Sequence, residues 1–500
     1  MMNDDFLHYN ALDAACTLEA HNGFWIDLGD YQRTYDLTAA LLPPLMFMMT
    51  KGIRVDHDAI SISRAEVRER IDSAQVELDS MCGRHLNVNS PKDCQKYFYI
   101  EKGIPPYYNN GTPTVDDLSL QRLSRPTAKR EGLREAKLVQ EIRGAQKLLS
   151  TYLEMEFDDD GRMRCSYNPR GSRFGRLSSS KTIYGTGMNM QNLPPEMKRF
   201  LVADPGHVLW EIDKRQAEWV VVAYLAGDDN MISVIENGED THTHTASMMF
   251  NVPKELVLRE NKLVGHMRDV ETLREVRMSD PELALFIDRM PRNMSIRQCG
   301  KKSNHGLNYD EGPNNFALIN EMEQSEGRRI VELYHMIYPG IRQWYGRVQR
   351  QLQKDRTLTN CFGRKVRFMD AWGPDLWKAA YSMLPQSTVV DSLNMGMVEI
   401  YHDRRLPIDL LAQVHDSLLF QVPISVVKTP AFWNIVERCY RAISPTMEYN
   451  QRKFTIATDS KIGLNWAGAH HERNPFGMRD FDDAESLSTA LGELECLSGS

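Results

Sequence analysis

Between Arg297 and Tyr309 the sequence reads Arg-Gln-Cys-Gly-Lys-Lys-Ser-Asn-His-Gly-Leu-Asn-Tyr. As a helix, this stretch puts Arg297, Lys301 and His305 four residues apart on one face, and Tyr309 continues the row. The face is then two cations followed by two rings. A triphosphate needs positive charges in a row, and a base needs a flat ring beside it. A nucleotide could lie along such a helix with its phosphates on Arg297 and Lys301. The competing reading is a solvated face with two unrelated cations, and the rest of the chain has to decide.

Two carboxylates bear on that choice. Asp213 ends an apolar run, His207-Val-Leu-Trp-Glu-Ile-Asp, that reads as a buried strand. It is followed by Gln216, Glu218 and the buried-helix pattern Trp-Val-Val-Val-Ala-Tyr-Leu-Ala, ending at Gly227. Asp416 lies in Ile408-Asp-Leu-Leu-Ala-Gln-Val-His-Asp-Ser-Leu-Leu-Phe-Gln-Val, a predicted β-hairpin with its turn at His415-Asp416. Two carboxylates brought together repel unless cations sit between them. Two magnesium ions there could activate a hydroxyl and stabilise a leaving pyrophosphate. Arg297, Lys301 and His242 would hold the triphosphate as charge builds in an in-line transfer. The parts add up to a nucleotidyl-transfer site.

The elements that position these residues follow the hydrophobic pattern. Residues 1–35 read as one helix, with Tyr9 and Asp13 four apart. Residues 58–82 and 133–153 read as amphipathic helices. Joined by a small polar tip, they make a projecting arm whose Lys147, Ser150 and Thr151 face outward and could touch a phosphate backbone. Residues 162–200 are rich in Arg, Ser, Asn, Gln and Gly, which suit nucleic-acid contacts, with a plain surface loop as the competing reading. Residues 228–291 are mostly helical, and 254–288 reads as a solvated, charge-dense helical hairpin. Helices are predicted over 313–321, 325–354, 374–402 and 430–450, a strand pair around Gly363, and a strand over 455–461. Residues 471–500 read as a disordered or partner-binding tail.

Composition sets limits. Five hundred residues exceed one core, so several subdomains are expected. No apolar run approaches a membrane span. The start, Met-Met-Asn-Asp-Asp, lacks a signal-peptide core, and eight cysteines without a Cys-x-x-Cys pair fit a reducing cytoplasm rather than a zinc or disulfide framework. The net charge of −8 argues mildly against nucleic acid, but seven acidic and two basic residues in 471–500 account for −5 of it. The remainder can hold a basic cleft.

Five motifs in order carry a resemblance. They are Phe174-Gly-Arg-Leu-Ser-Ser, Asn189-x-Gln-Asn-Leu-Pro, Asp213-x-x-Gln-x-Glu218, Arg297-x-x-x-Lys-x-x-x-His-Gly-x-x-Tyr309 and Gln413-Val-His-Asp416. Their order and spacing resemble family A DNA polymerases, the bacterial DNA polymerase I group and its phage relatives, over residues 5–470. Lys147-Leu-Leu-Ser-Thr-Tyr and Asn465-Trp-x-x-x-His470 are similar to that family as well. The resemblance implies an α+β right-hand fold. Its palm would be an antiparallel sheet from 154–227 and 356–470, entered through 36–57, with a thumb over 58–153 and mostly helical fingers over 228–355.

It also implies roles. Asp213 and Asp416, helped by the Lys214 carbonyl, would bind two Mg2+ ions. Arg297, Lys301 and His242 would hold the dNTP phosphates, with Gln216, His305 and Tyr309 lining the nucleotide site. Glu218 would exclude a ribose 2′-hydroxyl. Arg176, Gln191, Asn192, Gln386, His415 and Lys147 would contact primer–template DNA. Departures are His305 where the family has Phe or Tyr, Asp310 in place of Gly, Ser417 in place of Glu, and a longer insert at 254–288. Tyr9 and Asp13 resemble the last motif of DnaQ-like 3′–5′ exonucleases, so 1–35 is expected to be a remnant of that domain. A separate exonuclease polypeptide docking there, an unspecified processivity factor, and a phage source in a host bacterial cytoplasm complete the expectations. The alternatives are a single-subunit RNA polymerase-like enzyme, against which Glu218 argues, and a non-catalytic DNA-binding accessory protein, against which the two carboxylates argue.

Overall fold

The computed structural model describes residues 4–109, 111–124, 131–265, 270–286, 294–320 and 322–498. Parts of the predicted 254–288 hairpin and the last two residues of the tail lie outside the described residues.

A five-stranded antiparallel sheet carries both carboxylates. Its spatial order is Asp409–Val414, Ser417–Pro423, His207–Lys214, Thr458–Gly463, Arg479–Phe481. The strand His207–Lys214, hereafter the carboxylate strand, is central. Side chains alternate across a strand. Trp210, Ile212 and Lys214 therefore point into the core, while Glu211 and Asp213 are half-buried on the opposite face. Beneath the sheet, Trp210, Phe420 and Phe432 pack ring against ring, and Trp210 Nε1 donates to Ser460 Oγ at 3.0 Å. The helices Ala431–Ile443 and Pro374–His402 close this core through Val436, Cys439, Leu393 and Met397.

A second core lies among helices between Ala217 and Leu384. Here the helix Thr241–Phe250 (the histidine helix) packs against Ile296–Gly306 (the cation helix). The approach is close: a Cβ on Gly300 would sit 2.4 Å from the His242 carbonyl oxygen. Only a residue without a side chain fits there.

The arm is present as two helices, His57–Cys82 and Arg134–Lys147. Asp56 caps the first by accepting from Ala59 N at 2.9 Å, and Gly83 at φ +68° ends it. The expected small polar tip is instead a folded unit with its own core, built from Leu86, Val88, Cys94, Phe98, Leu120 and Leu123.

Several boundaries differ from expectation. Where one helix is expected over 1–35, the described residues form two, Asp4–Asp27 and Gln32–Ala39, joined by a single turn at Gly29–Tyr31. Pro339 splits the predicted 325–354 helix into Gln324–Ile337 and Pro339–Asp355, because proline suits a first helical turn and not an interior. The helix predicted over 430–450 stops at Ile443, and Met447–Tyr449 pairs with Arg452–Phe454 as a hairpin. The helix after Tyr309 spans Pro313–Ile319, and the strand expected over 455–461 runs Thr458–Gly463.

The acidic tail is folded, which corrects the expectation of disorder. Arg479–Phe481 joins the sheet edge, and Ala484–Ser498 is a helix. Leu487, Ala490, Leu491 and Leu494 repeat at i, i+3, i+4, i+7, and three of them are buried. Each buried leucine stabilises by roughly 1.5–3 kcal/mol, enough for a short amphipathic helix to hold despite its charge. Arg479 pairs with Glu493 at 2.6 Å across the same contact.

Candidate active site

The register of the sheet brings the two carboxylates together. Asp213 lies opposite Ser417, the residue after Asp416, and Lys214 N donates to the Asp416 carbonyl at 3.3 Å. His415 turns the hairpin at φ +53°. Its amide donates to Gln191 Oε1 at 2.9 Å, while Gln191 Nε2 donates to the Gln413 carbonyl at 2.9 Å. Gln191 thus clamps the hairpin from the side.

Burial raises the Asp213 carboxyl to about 7, with the nearby Asp416 and Glu211 carboxylates adding to it. Burial also raises Asp416, and Glu218 pushes the same way. Among the described residues, no ion pair joins a cation to either group. Two partly buried carboxylates with raised pKa values and no salt bridge fit bound cations. Among the described residues, no set of three or more His, Cys, Asp or Glu side chains is grouped for a metal. The donors available are therefore a pair of side chains, plus backbone oxygens and substrate. The Lys214 side chain cannot take part. It is 2% exposed, points into the core and donates to the Ile443 carbonyl, and burial lowers its ammonium to about 7.

Across from this pair stands Glu218, in the first turn of the helix Ala217–Ala226. Its carboxylate takes Arg176 on one oxygen and the Tyr309 hydroxyl on the other. Burial and the Glu218 charge push the Tyr309 phenol well above its ordinary value, so it stays a donor. Tyr309 does not continue the cation helix as expected. That helix ends at Gly306, and Leu307–Tyr309 is a tighter 3₁₀ turn. Asp310 follows at φ +60°, a left-handed conformation that glycine adopts freely and aspartate tolerates. This explains why the resemblance has glycine at that position.

The cation row forms as expected over its first three members. Lys301 and His305 are exposed, and Arg297 is half-buried. Arg297 is not free, however. Its Nε and Nη2 donate to Asp240 at 2.7 and 3.2 Å. His242 is buried, with its ring centroid 5.8 Å from that of His305. Burial lowers its imidazole to about 4, and Asp240 opposes that shift. Asn304 Nδ2 donates to His242 Nδ1 at 3.0 Å, so the neutral ring carries its proton on Nε2. Gln216 sits at φ +51°, and its Nε2 donates to Asp240 Oδ1 at 3.0 Å.

Asn192 is exposed beside Gln191, and Gln386 is half-buried just after Pro385 inside the helix Pro374–His402. Lys147 is at the base of the arm and not at its tip, in a groove shared with Arg70, Pro194 and Glu196.

Sequence reasoning missed three supports. Asp240 lies in the segment 228–291, whose sequence points only to helices. Glu211, whose Oε1 accepts from Trp466 Nε1 at 2.9 Å and Ser417 Oγ at 3.3 Å, was read as strand. It gives Ser417 a carboxylate neighbour on the facing strand. The third is Arg364, whose Nε and Nη2 make three hydrogen bonds to Asp391 at 2.8–2.9 Å, fully inside the protein. Gly175 lies flat on that guanidinium, so the buried pair supports the turn that presents Arg176. A cap signal before Thr241 could have pointed to Asp240, but nothing local points to Asp391.

The family model for DNA polymerase family A matches residues 57–264 and 286–468. Its gap falls within the segment 254–288. The thermostable DNA polymerase I of Thermus aquaticus is 27% identical over 400 residues, covering 76% of this chain and 42% of that protein. DNA polymerase I of Pseudomonas aeruginosa is 24% identical over 490 residues, covering 92% of this chain and 47% of that protein. The chain spans less than half the length of these relatives. The POL domain of Pol1 from M. smegmatis, solved in complex with DNA primer-template and dNTP, shares the fold. Its TM-score is 0.69 at 22% identity, over 86% of this chain and 70% of that one. With the family model matched over most of its residues, the chain belongs to DNA polymerase family A.

Proposed function

We propose that this chain is a template-directed DNA polymerase that adds dNTPs to a primer 3′ end. The observation that carries the reading is the pair Asp213 and Asp416: two carboxylates without cation partners among the described residues, one at the end of a strand and the other in the hairpin turn next to it, beside a helix that presents Arg297, Lys301 and His305. Asp213, Asp416 and the Lys214 carbonyl would hold two Mg2+ ions. Such ions supply charge neutralisation at the attacking and leaving oxygens.

The chain's own residues do the rest by position. Arg297 and Lys301 bind the triphosphate, and the neutral His242 donates to it from Nε2. Gln216 lines the same pocket. His305 and Tyr309 flank the base. Glu218, fixed by Arg176 and Tyr309, occupies the space a 2′-hydroxyl would need. Arg176, Gln191, Asn192, Gln386 and His415 meet the primer end and the minor groove, and Lys147 meets the backbone where the arm begins. In this reading the arm is the thumb, the helical region 228–355 the fingers and the five-stranded sheet the palm.

The chain is also proposed not to shorten primers. Tyr9 and Asp13 are exposed on the helix Asp4–Asp27. The same helix leaves Phe6, Leu18 and Phe24 exposed, which would suit a separate nuclease polypeptide.

The test is extension of a labelled primer–template with magnesium and dNTPs, with parallel lanes containing rNTPs or no nucleotide. Extension with dNTPs, little with rNTPs and an unshortened primer without nucleotide are expected. Preferential rNTP use would favour the RNA polymerase-like reading. DNA binding without extension would favour the accessory reading.

A further inference from the structure

Asp240 has entered so far only as the partner of Arg297 and Gln216, yet it ties three elements of the site together. It stands at the entrance of the histidine helix. Oδ1 accepts from Gln216 Nε2 at 3.0 Å and from Arg297 Nη2 at 3.2 Å. Oδ2 accepts from Arg297 Nε at 2.7 Å, from Thr243 N at 3.2 Å and from the Thr243 hydroxyl. Burial alone would raise its carboxyl, but Arg297 and Thr243 together hold it below the ordinary value. Gln216 Oε1 in turn accepts from Thr241 N at 3.3 Å. One carboxylate therefore joins the end of the carboxylate strand, the start of the histidine helix and the first turn of the cation helix.

We infer that Asp240 is a positioning residue for the incoming nucleotide, resting on the polymerase reading above. It grips the Nε–Nη2 edge of Arg297 side-on and so leaves the Nη1 end to face the phosphates. A guanidinium held in a two-point contact with a carboxylate is planar and fixed, and less freedom is lost when it binds a phosphate. By holding Gln216 as well, Asp240 sets the cation helix at a defined height above Asp213.

The bland role for Asp240 is as a helix cap, since it accepts from Thr243 N in the ordinary capping position. Asparagine caps as well as aspartate, but it accepts only through one neutral amide oxygen. It cannot give a guanidinium two charged oxygens. Asp240→Asn therefore separates the two roles, and thermal melting of the variant monitors the cap.

The experiment measures single-nucleotide incorporation for the wild type, Asp240→Asn, Arg297→Gln and the double variant. Asp240→Asn should raise KM for the complementary dNTP about tenfold with kcat within about threefold, and leave primer–template affinity unchanged. Arg297→Gln should raise KM further. The double variant should match Arg297→Gln alone, because the orientation of an absent guanidinium costs nothing. An unchanged KM in Asp240→Asn, or a full additional penalty in the double variant, would reduce Asp240 to a cap. A lower KM would make it a competitor of the triphosphate and overturn the inference. Binding of tripolyphosphate and of dATP without DNA, by calorimetry, reads the same contact apart from catalysis. If the wild type extends no primer but Asp240→Asn still loses about tenfold in binding both probes, the polymerase reading fails and the positioning role stands. Equal binding by the two proteins overturns it.

Discussion

The two charged regions that meet around Glu218 are built in opposite ways. On the sheet, Asp213 sits in a strand and Asp416 in the hairpin turn beside it, the strand register is fixed by hydrogen bonds, and no cation of the chain pairs with them among the described residues. On the helices, two of the three polar groups that face the site's phosphate end are already partnered, and Lys301 is exposed. Arg297 lies on Asp240, and His242 is neutral and tied to Asn304. The carboxylate side is rigid and electrostatically incomplete, so it calls for cations from outside. The cation side is partnered from within at Arg297 and His242 and rests on a close helix contact at Gly300. Charge that must be met by a ligand is on the stiffest element, while charge that must hold a changing substrate is on packed helices with internal counter-charges.

That contrast is sharpest for the carboxylates. Asp416→Asn should lower extension by at least about a thousandfold while primer–template binding changes little, because only the transition state is affected. Retained extension in a gel assay would remove the carboxylate pair from the chemistry. Lys301→Gln, on the other side, should show mainly as a KM for dNTP raised by about tenfold or more. A drop confined to kcat would mean that the two regions do not divide the work as described.

Glu218→Ala should weaken sugar selection, so that rNTP incorporation relative to dNTP rises about tenfold in competition assays. An unchanged ratio would leave Glu218 as a counter-ion for Arg176 only. Asp391→Asn leaves Arg364 buried without its charge partner and should cost roughly 3–5 kcal/mol. Urea melts would report it, and a loss below about 1 kcal/mol would mean that the pair is not the support of the Arg176 turn.

The smallest effect is the response to acid, and it should have opposite signs in the two regions. Asp213 is raised from 3.8 to about 7, so the native state binds the proton first. Its contribution is complete below about 3.8 and is lost as pH rises through about 7. His335 in the helical region is buried and lowered from 6.5 to about 4, so the unfolded chain binds the proton first. Its contribution is present above about 6.5 and is lost as pH falls towards 4. In metal-free buffer, Asp213→Asn should therefore gain less than the wild type on going from pH 7 to 4.5, and His335→Phe should lose less. Differences in Tm that stay constant over that range would contradict both assignments.

Much of this was legible in the sequence because it is local. The four-residue spacing of Arg297, Lys301 and His305, the apolar runs leading to Asp213 and Asp416, and the turn at His415 all follow from periodicity alone. What was not legible depends on partners far away in the chain. Asp240 meets Arg297 across 57 residues, and Tyr167 hydrogen-bonds the hairpin across 246. The tail was a different failure. Its leucine row was in plain view, but acidic composition outweighed it. The arm's tip was misread because its apolar residues are spread over short segments that no single period connects. Pro339 was a visible stop signal that the long amphipathic pattern around it obscured.

The most direct test of the central claim supplies each of the four dNTPs singly to the wild-type protein with a primer–template of known next base, with Mg2+ and with EDTA. A carboxylate pair that works through bound cations in a template-directed site predicts incorporation of the complementary dNTP alone, and only with Mg2+. Incorporation in EDTA would contradict the role of Asp213 and Asp416. Equal use of all four dNTPs would contradict template direction.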